Sequence, residues 1–261
     1  MQFPDRIAGF VAGKTYTENL TGMSGSRVLM YDEYVLKIEK TRHEDLETIA
    51  VMRWLEGRIP VPVIAVYAEE DGFSYTLMSR VQGRMACDEY YLERPDELTT
   101  LLAEALHMLW SVDTAGCPRE RSIDVELAEA KYRVERHLVD MDNVEPETFG
   151  PGGFRDPEEL LAWLYDHRPS YEPVLSHGDF CLPNIYLDNG GISGFIDLGD
   201  TGIGDKWRDI ALCCRSLKHN AEGVYGGRIY PDTDPMLLFK KLQIEPDWEK
   251  IRFYLLMDEL F

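Results

Sequence analysis

Hydrophobic patterning shifts near residue 80 from mainly strand-like to mainly helical, and that shift limits the folds open to this chain. Up to about residue 80 the apolar residues come in short, β-branched and aromatic runs broken by glycine, serine and aspartate. TENLTGMSGSRVLMY (17–31) and DEYVLKIEK (32–40) suggest β-ribbons, and IPVPVIAVYAEEDGFSYTLMSRV (59–81) a hairpin turning at Glu70, Asp71 and Gly72. Between them, HEDLETIAVMRWLEG (43–57) carries Leu46, Ile49, Ala50 and Trp54 at helical spacing, with Gly57 as its stop. Beyond residue 80 the helical period takes over in ELTTLLAEALHMLWSV (97–112), VELAEAKYRVERHLVDM (125–141) and PEELLAWLYDH (157–167). The expected fold is α+β and two-lobed. A β-rich N-terminal lobe (1–80) leads into a mainly α-helical C-terminal lobe (81–261), with a cleft between them.

One segment, HGDFCLPNIYLDNGGISGFID (177–197), interrupts the helical half. Asn189–Gly190 is a tight-turn signal between NIYLD and GISGFID, so the whole reads as a hairpin. Asp179 and Asn184 lie in the loop that enters it, and Asp197 lies at its exit, before LGDTGIGD. Taken singly, each suits a turn or a cap. Taken together, they match the way kinases build a phosphoryl-transfer centre. A carboxylate must accept the proton of an attacking hydroxyl, while an amide oxygen and a second carboxylate hold Mg²⁺ against the phosphates. Asp179 is then the base, and Asn184 and Asp197 are the metal ligands. His177 is read as a packing residue that shapes the loop, with no role in proton transfer.

Charge narrows the partners. Forty-seven acidic against 27 basic side chains give a net charge of −20, which repels nucleic acid and anionic membrane surfaces. An acidic, well-solvated surface accounts for that figure, and so does a cleft that attracts a cationic small molecule. The start, MQFPDRIAGFVAGK, has no basic region followed by an apolar stretch, and no apolar run approaches the ~20 residues of a membrane helix. Cys87, Cys117, Cys181, Cys213 and Cys214 are odd in number and lack CxxC spacing. Reduced thiols and a cytoplasmic location are expected.

The segment LSHGDFCLPNIYLDNGGISGFIDLGDTGIGDKWRDIALCCRSL, the ending EPDWEKIRFYLLMDELF and the stretch WLEGRIPVP resemble the aminoglycoside 3′-phosphotransferases. These are bacterial antibiotic-resistance kinases with a protein-kinase-like fold. HGD-x4-N alone would also fit choline, homoserine or macrolide kinases, whereas MDELF is far more specific. The resemblance implies ATP as phosphate donor, with GTP as an alternative, and Mg²⁺. It places Lys37 of YVLKIEK on the ATP phosphates and Ser24 of TGMSGS in the nucleotide loop. Ser79 to Val81 become an interlobe hinge that holds the adenine edge. It further implies that Asp258, Glu259 and the terminal carboxylate of Phe261 clamp the amino groups of kanamycin-type drugs, with Glu145 and Glu147 of DMDNVEPETF as the opposite wall.

Three positions depart from the family pattern. Thr48 stands where relatives carry the glutamate that pairs with the lysine, and Glu47, one residue earlier, is the expected substitute. Val35 stands where many relatives stack a tyrosine on adenine, and Tyr34 next to it should face the other way in a strand. The family's DLGR motif reads DLGD, with Asp200 in place of a positive charge. The tail needs no family to draw notice. DWEKIRFYLLMDEL is helix-like, with Asp247 as its N-cap and Trp248, Ile251 and Leu255 on one face. Asp258 and Glu259 then oppose the dipole at its end, each at ~0.3–1 kcal/mol. A solvated tail tolerates that, and an ammonium-binding site would use it. Two rival functions stay open: a kinase of the same architecture for another small hydroxylated amine or sugar, and a nucleotide-binding protein without turnover.

Overall fold

Short strands of alternating burial fill the first part of the computed structural model, which describes residues 3–19 and 26–261. Helix α1 (Asp5–Val11) precedes β1 (Thr17–Asn19), β2 (Arg27–Met30) and β3 (Tyr34–Lys40). Helix α2 (Asp45–Leu55) follows, then β4 (Ile64–Glu70) and β5 (Phe73–Ser79). These strands make one antiparallel sheet in the order β1-β2-β3-β5-β4. The β4–β5 hairpin turns where expected, with Asp71 at φ 51° and Gly72 at φ 78°, the two positive values that a type I′ turn demands. Along β3, Leu36 and Ile38 face a small core with Ile7, Val11, Leu29, Tyr31, Val66 and Leu77. Val35, Lys37 and Glu39 alternate with them and line the other face.

Helix α2 forms where the 3.6-residue spacing predicts it, but its buried face is rotated from the expected one. Leu46 and Ala50 are exposed, while Ile49, Val51, Met52 and Leu55 are buried. Val51, Met52 and Leu55 pack into the core of the helical half, and that attachment decides which side turns inward.

The remaining elements are β6 (Arg84–Met85), α3 (Glu89–Leu92), α4 (Pro95–Trp110), α5 (Ile123–Glu135), α6 (Pro157–Asp166) and β7 (Pro173–Ser176). After them come β8 (Ile185–Asp188), β9 (Gly191–Phe195), β10 (Gly202–Asp205), α7 (Lys206–Ala221), α8 (Met236–Leu242) and α9 (Trp248–Asp258). Helix α5 stops six residues before its expected end, because His137 takes a left-handed φ of 53° that no helix continues through. The tail helix starts as expected, with Asp247 accepting the Lys250 N–H at 3.1 Å. Its buried side, however, is Ile251, Phe253, Tyr254 and Met257, and Trp248 lies outside.

The β8–β9 hairpin turns on Asn189 (φ 49°) and Gly190 (φ 75°). Strand β6 joins it to give the order β6-β8-β9, while β7 pairs with β10. One large core built from α2, α4 to α9 and these short strands supports the loops between them.

Candidate active site

Two loops meet because their flanking strands pair. Ser176 opposes Gly202 in the β7–β10 ladder, and Ile185 opposes Phe195 in the β8–β9 ladder. Both ends of the 177–184 loop are therefore pinned opposite the ends of the 196–201 loop. Cross-links finish the job. Ile196 donates its N–H to Asn184 O at 2.9 Å, and the Thr201 hydroxyl donates to His177 O at 2.8 Å. His177 is fully buried among Phe180 and Phe195. Its Nδ1 accepts the Asp179 N–H at 3.3 Å, which leaves Nε2 to donate to Ile196 O at 3.0 Å. That is the loop-shaping role read from the sequence. Gly178 sits at φ +85°, and a Cβ there would lie 2.3 Å from Asp200 O, so no other residue fits.

Beneath the loop stands a carboxylate that motif reading missed. Asp209, in the first turn of α7, is fully buried and accepts from Ser176 Oγ at 3.0 Å, His177 N at 2.9 Å and Gly178 N at 3.0 Å. Burial pushes its carboxyl above the usual range, and these donors work against that rise. Ser216, two turns further along α7, accepts the Leu182 N–H at 3.0 Å. An acid inside the apolar run WRDIALCC was the available signal.

The catalytic-type side chains project from this frame. Asn184 is nearly buried, and its Nδ2 donates to Asp179 Oδ2 at 2.8 Å and to Asp179 O at 3.0 Å. Its amide nitrogen is thereby committed, and the amide oxygen accepts from no donor among the described residues. Asp197 has a left-handed backbone (φ 56°, ψ 60°), a costly conformation for a non-glycine residue and one that concentrates at functional sites. Its half-exposed carboxylate meets Lys37 Nζ at 3.3 Å. A half-exposed carboxylate and an amide oriented by its own nitrogen suit Mg²⁺, which takes few protein ligands and keeps water and phosphate for the rest.

Lys37 corrects one expectation. Its partner is not Glu47 but Glu39, two residues along the same strand face, with Nζ 3.2 Å from Oε1. Burial pulls the Lys37 pKa down, but Asp197 and Glu39 outweigh it and hold the ammonium above the usual lysine value. Glu47 instead binds Arg119 Nε at 3.0 Å, and Thr48 Oγ1 accepts from Arg119 Nη2 at 2.8 Å. Thr48 carries no charge to pair with Lys37, and the strand neighbour at i+2, Glu39, shares its face. Glu39→Gln is therefore expected to raise the KM for the nucleotide about tenfold, the loss of one charge-assisted contact. Glu47→Gln should raise it less. Steady-state kinetics on both variants checks the ranking, and a larger effect from Glu47→Gln would reverse the assignment.

The remaining departures are also resolved. Tyr34 packs edge-on against Phe10 and under Lys14, on the far face from Lys37. A guanidinium does stand at the DLGD turn, but it comes from Arg121, whose Nη2 lies 3.2 Å from Asp200 Oδ1. Burial pushes the Asp200 carboxyl up and Arg121 opposes the shift. At the hinge, Ser79 N–H is engaged with Val63 O at 2.9 Å and its hydroxyl accepts the Val63 N–H at 2.9 Å. Its amide is thus closed to an adenine edge, whereas Val81 makes no backbone hydrogen bond among the described residues. Ser24 lies outside the described residues.

The tail and the 143–147 loop do come together, with cations that the sequence reading left out. Glu145 N–H donates to Glu259 Oε2 at 2.7 Å, and Glu145 Oε1 lies 3.5 Å from His219 Nε2. Arg215 sits against both acids of the tail, pairing with Asp258 and reaching Glu259 Oε1 at 3.6 Å. Arg133 binds Phe261 O at 2.6 Å and Leu260 O at 2.8 Å. Cations at the end of α9 relieve the dipole mismatch noted above. Burial pushes the Glu259 carboxyl up to about 7, with its bond from Glu145 N and the Arg215 charge opposing. Glu147 is exposed and has no ion pair among the described residues, so the opposite wall rests on Glu145 alone. Tyr225, exposed at 66%, sets its hydroxyl 3.3 Å from His219 Nδ1, the ring that also faces Glu145.

Comparison with known proteins places this geometry. The model of the phosphotransferase enzyme family matches residues 15–254. An aminoglycoside 3′-phosphotransferase of Enterococcus faecalis is 42% identical over 212 residues, 81% of this chain and 76% of that protein. The crystal structure of a type VIII aminoglycoside 3′-phosphotransferase superposes with a TM-score of 0.79 at 26% identity, covering 98% of this chain and 96% of the other. A Streptomyces rimosus aminoglycoside phosphotransferase, solved in complex with ADP and streptomycin, shares the fold with a TM-score of 0.75 at 23% identity, over 99% of both chains. A fold of the protein-kinase type, the paired loops around Asp179 and Asp197 and this degree of identity agree, and the chain belongs to the phosphotransferase enzyme family as one of its aminoglycoside 3′-phosphotransferases.

Proposed function

We propose that this chain transfers the γ-phosphoryl group of ATP to the 3′-hydroxyl of a kanamycin-like aminoglycoside and so confers resistance to it. The observation that supports this reading is that the paired loops set Asn184 on Asp179 and Asp197 against Lys37. Asp179 takes the proton of the 3′-hydroxyl as its oxygen bonds to the γ-phosphorus, the bond from that phosphorus to the β–γ bridging oxygen breaks, and ADP leaves. Lys37, held charged by Glu39 and Asp197, is placed for the phosphate oxygens. Asn184 and Asp197 would hold Mg²⁺, which supplies charge neutralisation at the phosphates. Residues 1–80 serve as the nucleotide lobe and 81–261 as the catalytic and substrate lobe, with the free backbone of Val81 as the adenine contact at the hinge.

On the substrate side, Asp258, Glu259, the Phe261 carboxylate and Glu145 are the ammonium ligands of this reading. A drug amine there competes with Arg215 for Asp258, which favours polyamines over a single amino group. The net charge of −20 suits such a cation. Among the described residues, no helix is long and apolar enough to cross a membrane, and a cytoplasmic site of action is part of the proposal.

A coupled ADP-release assay with Mg-ATP tests the whole. Kanamycin and neomycin are expected to turn over, and a 3′-deoxy aminoglycoside to bind without turnover. A macrolide and choline should do neither. Equal turnover of the 3′-deoxy drug would move the reaction to another hydroxyl, and turnover of choline or the macrolide alone would overturn the substrate class.

A further inference from the structure

Lys37 pairs with Glu39 and Asp197, and not with an acid of α2; that helix packs against the 198–200 turn, and one buried side chain hydrogen-bonds to both. The segment 117–122 runs beside β10. Glu120 bridges Ile203, the Arg121 N–H donates to Ile203 O at 2.8 Å, and Ile203 N–H donates to Arg119 O at 3.1 Å. That backbone fixes Arg119 and Arg121 beside Gly202, where a Cβ would come within 2.7 Å of Arg121 Cγ. Arg119 is only 4% exposed. Its planar fork divides three ways. Nε binds Glu47 Oε2 at 3.0 Å, Nη2 binds Thr48 Oγ1 at 2.8 Å, and Nη1 binds Gly199 O. The first two acceptors lie in the first turn of α2. The third lies in the turn that begins two residues before it at Asp197.

We propose that Arg119 is a positioning residue for the transfer reaction: by joining α2 to the 198–200 turn, it holds the left-handed backbone at Asp197 that aims its carboxylate at Lys37. The role rests on the phosphotransferase reading of this cleft. A lysine cannot replace it, because one ammonium on a flexible stem does not reach three acceptors set in a plane. Arg121 does for the C-terminal side what Arg119 does for α2, binding Asp200 at 3.2 Å and Glu129 at 2.9 Å. Thr48 and Glu47 gain a purpose here, since the first turn of α2 is built to hold a guanidinium and not the active-site lysine.

The test uses the full-length chain and four variants: Arg119→Lys, Glu47→Gln, these two combined, and the double variant Glu47→Gln with Thr48→Val. Amide exchange without ligand is read at the 198–201 turn, and ADP affinity is measured by calorimetry with and without Mg²⁺. The expected result is exchange at 198–201 accelerated roughly tenfold in Arg119→Lys, the value of one lost charge-assisted hydrogen bond. Mg-ADP binding should weaken by a similar factor, metal-free ADP binding should change far less, and the KM for kanamycin should stay put while kcat falls. Adding Glu47→Gln to Arg119→Lys should bring no further loss, because both break the same joint. Should Arg119→Lys fail to fold, the double variant on the surface of α2 carries the same test. Unchanged exchange at 198–201 in a folded variant, or additive losses, would overturn the proposal. The exchange result does not depend on turnover, so it stands apart from a failure of the substrate panel.

Discussion

Asp179→Asn is expected to lower kcat by about 10²–10⁴-fold, the range that a positioned general base contributes. Asparagine is the informative choice. Its amide oxygen can still accept the Nδ2–H of Asn184, as Asp179 Oδ2 does at 2.8 Å, so the loop keeps its shape while the proton acceptor is gone. The backbone bond from Asp179 N–H to His177 Nδ1 is likewise untouched. Affinity for aminoglycoside should change little, since the tail acids proposed as ammonium ligands lie on separate elements. Steady-state kinetics with calorimetry on the same preparation decides the matter. A variant that keeps most of its turnover removes Asp179 from the reaction.

Asp209→Ala attacks the same loop from below and should cost more in stability than any other single change at the site. It leaves the Ser176 hydroxyl and the His177 and Gly178 N–H groups without their acceptor in a fully buried place. Each orphaned donor costs ~1–3 kcal/mol, and losses within one network do not simply add. A total of about 3–5 kcal/mol is expected, the usual cost of breaking a buried charged network. For a chain of this size that lowers the melting temperature by roughly 6–20 °C. Turnover should fall with it, because His177 and Gly178 carry the backbone that sets Asp179. Asp209→Asn keeps one acceptor oxygen and should lie between. Calorimetric scans of the three proteins rank them, and a melting point within a degree or two for the alanine variant would show that water satisfies those donors.

Local signals and distant ones fared differently. The β4–β5 and β8–β9 hairpins were legible because Asp-Gly and Asn-Gly demand positive φ at neighbouring positions, a constraint contained in the dipeptide itself. Asp179, Asn184 and Asp197 were legible as a group because a short hairpin returns the chain to where it began, so their spacing nearly fixes their distance. The face of α2 was not. Periodicity finds the helix, but which side turns inward depends on a core assembled from residues far along the chain. Glu39 was passed over for Glu47 because helical neighbours looked closer to the family's pattern, whereas on a strand the i+2 side chain is the one that shares a face. Arg119, Arg133 and Arg215 had no local pattern at all. Each is one basic residue on a loop or helix, and its meaning comes from acceptors 43 to 128 positions away.

The division of the cores has a consequence for how the molecule comes apart. Helix α2 sends Val51, Met52 and Leu55 into the large core, while β1 to β5 and α1 close over the small one around Leu29, Leu36, Ile38 and Leu77. A seam therefore runs between α2 and the sheet, inside what the chain order presents as one lobe, bridged by Ile64 and Met78, which pack against the large core. Opening along that seam lifts Lys37 and Glu39 away with the sheet and leaves α2, Arg119 and both catalytic loops behind as a folded remainder. A nucleotide held between Lys37 and the Asp197 turn, as proposed above, would bind only when the seam is shut, so its binding energy would add to the cohesion of the sheet. In a cell the concentration of nucleotide would then act as a second fastener for that sheet.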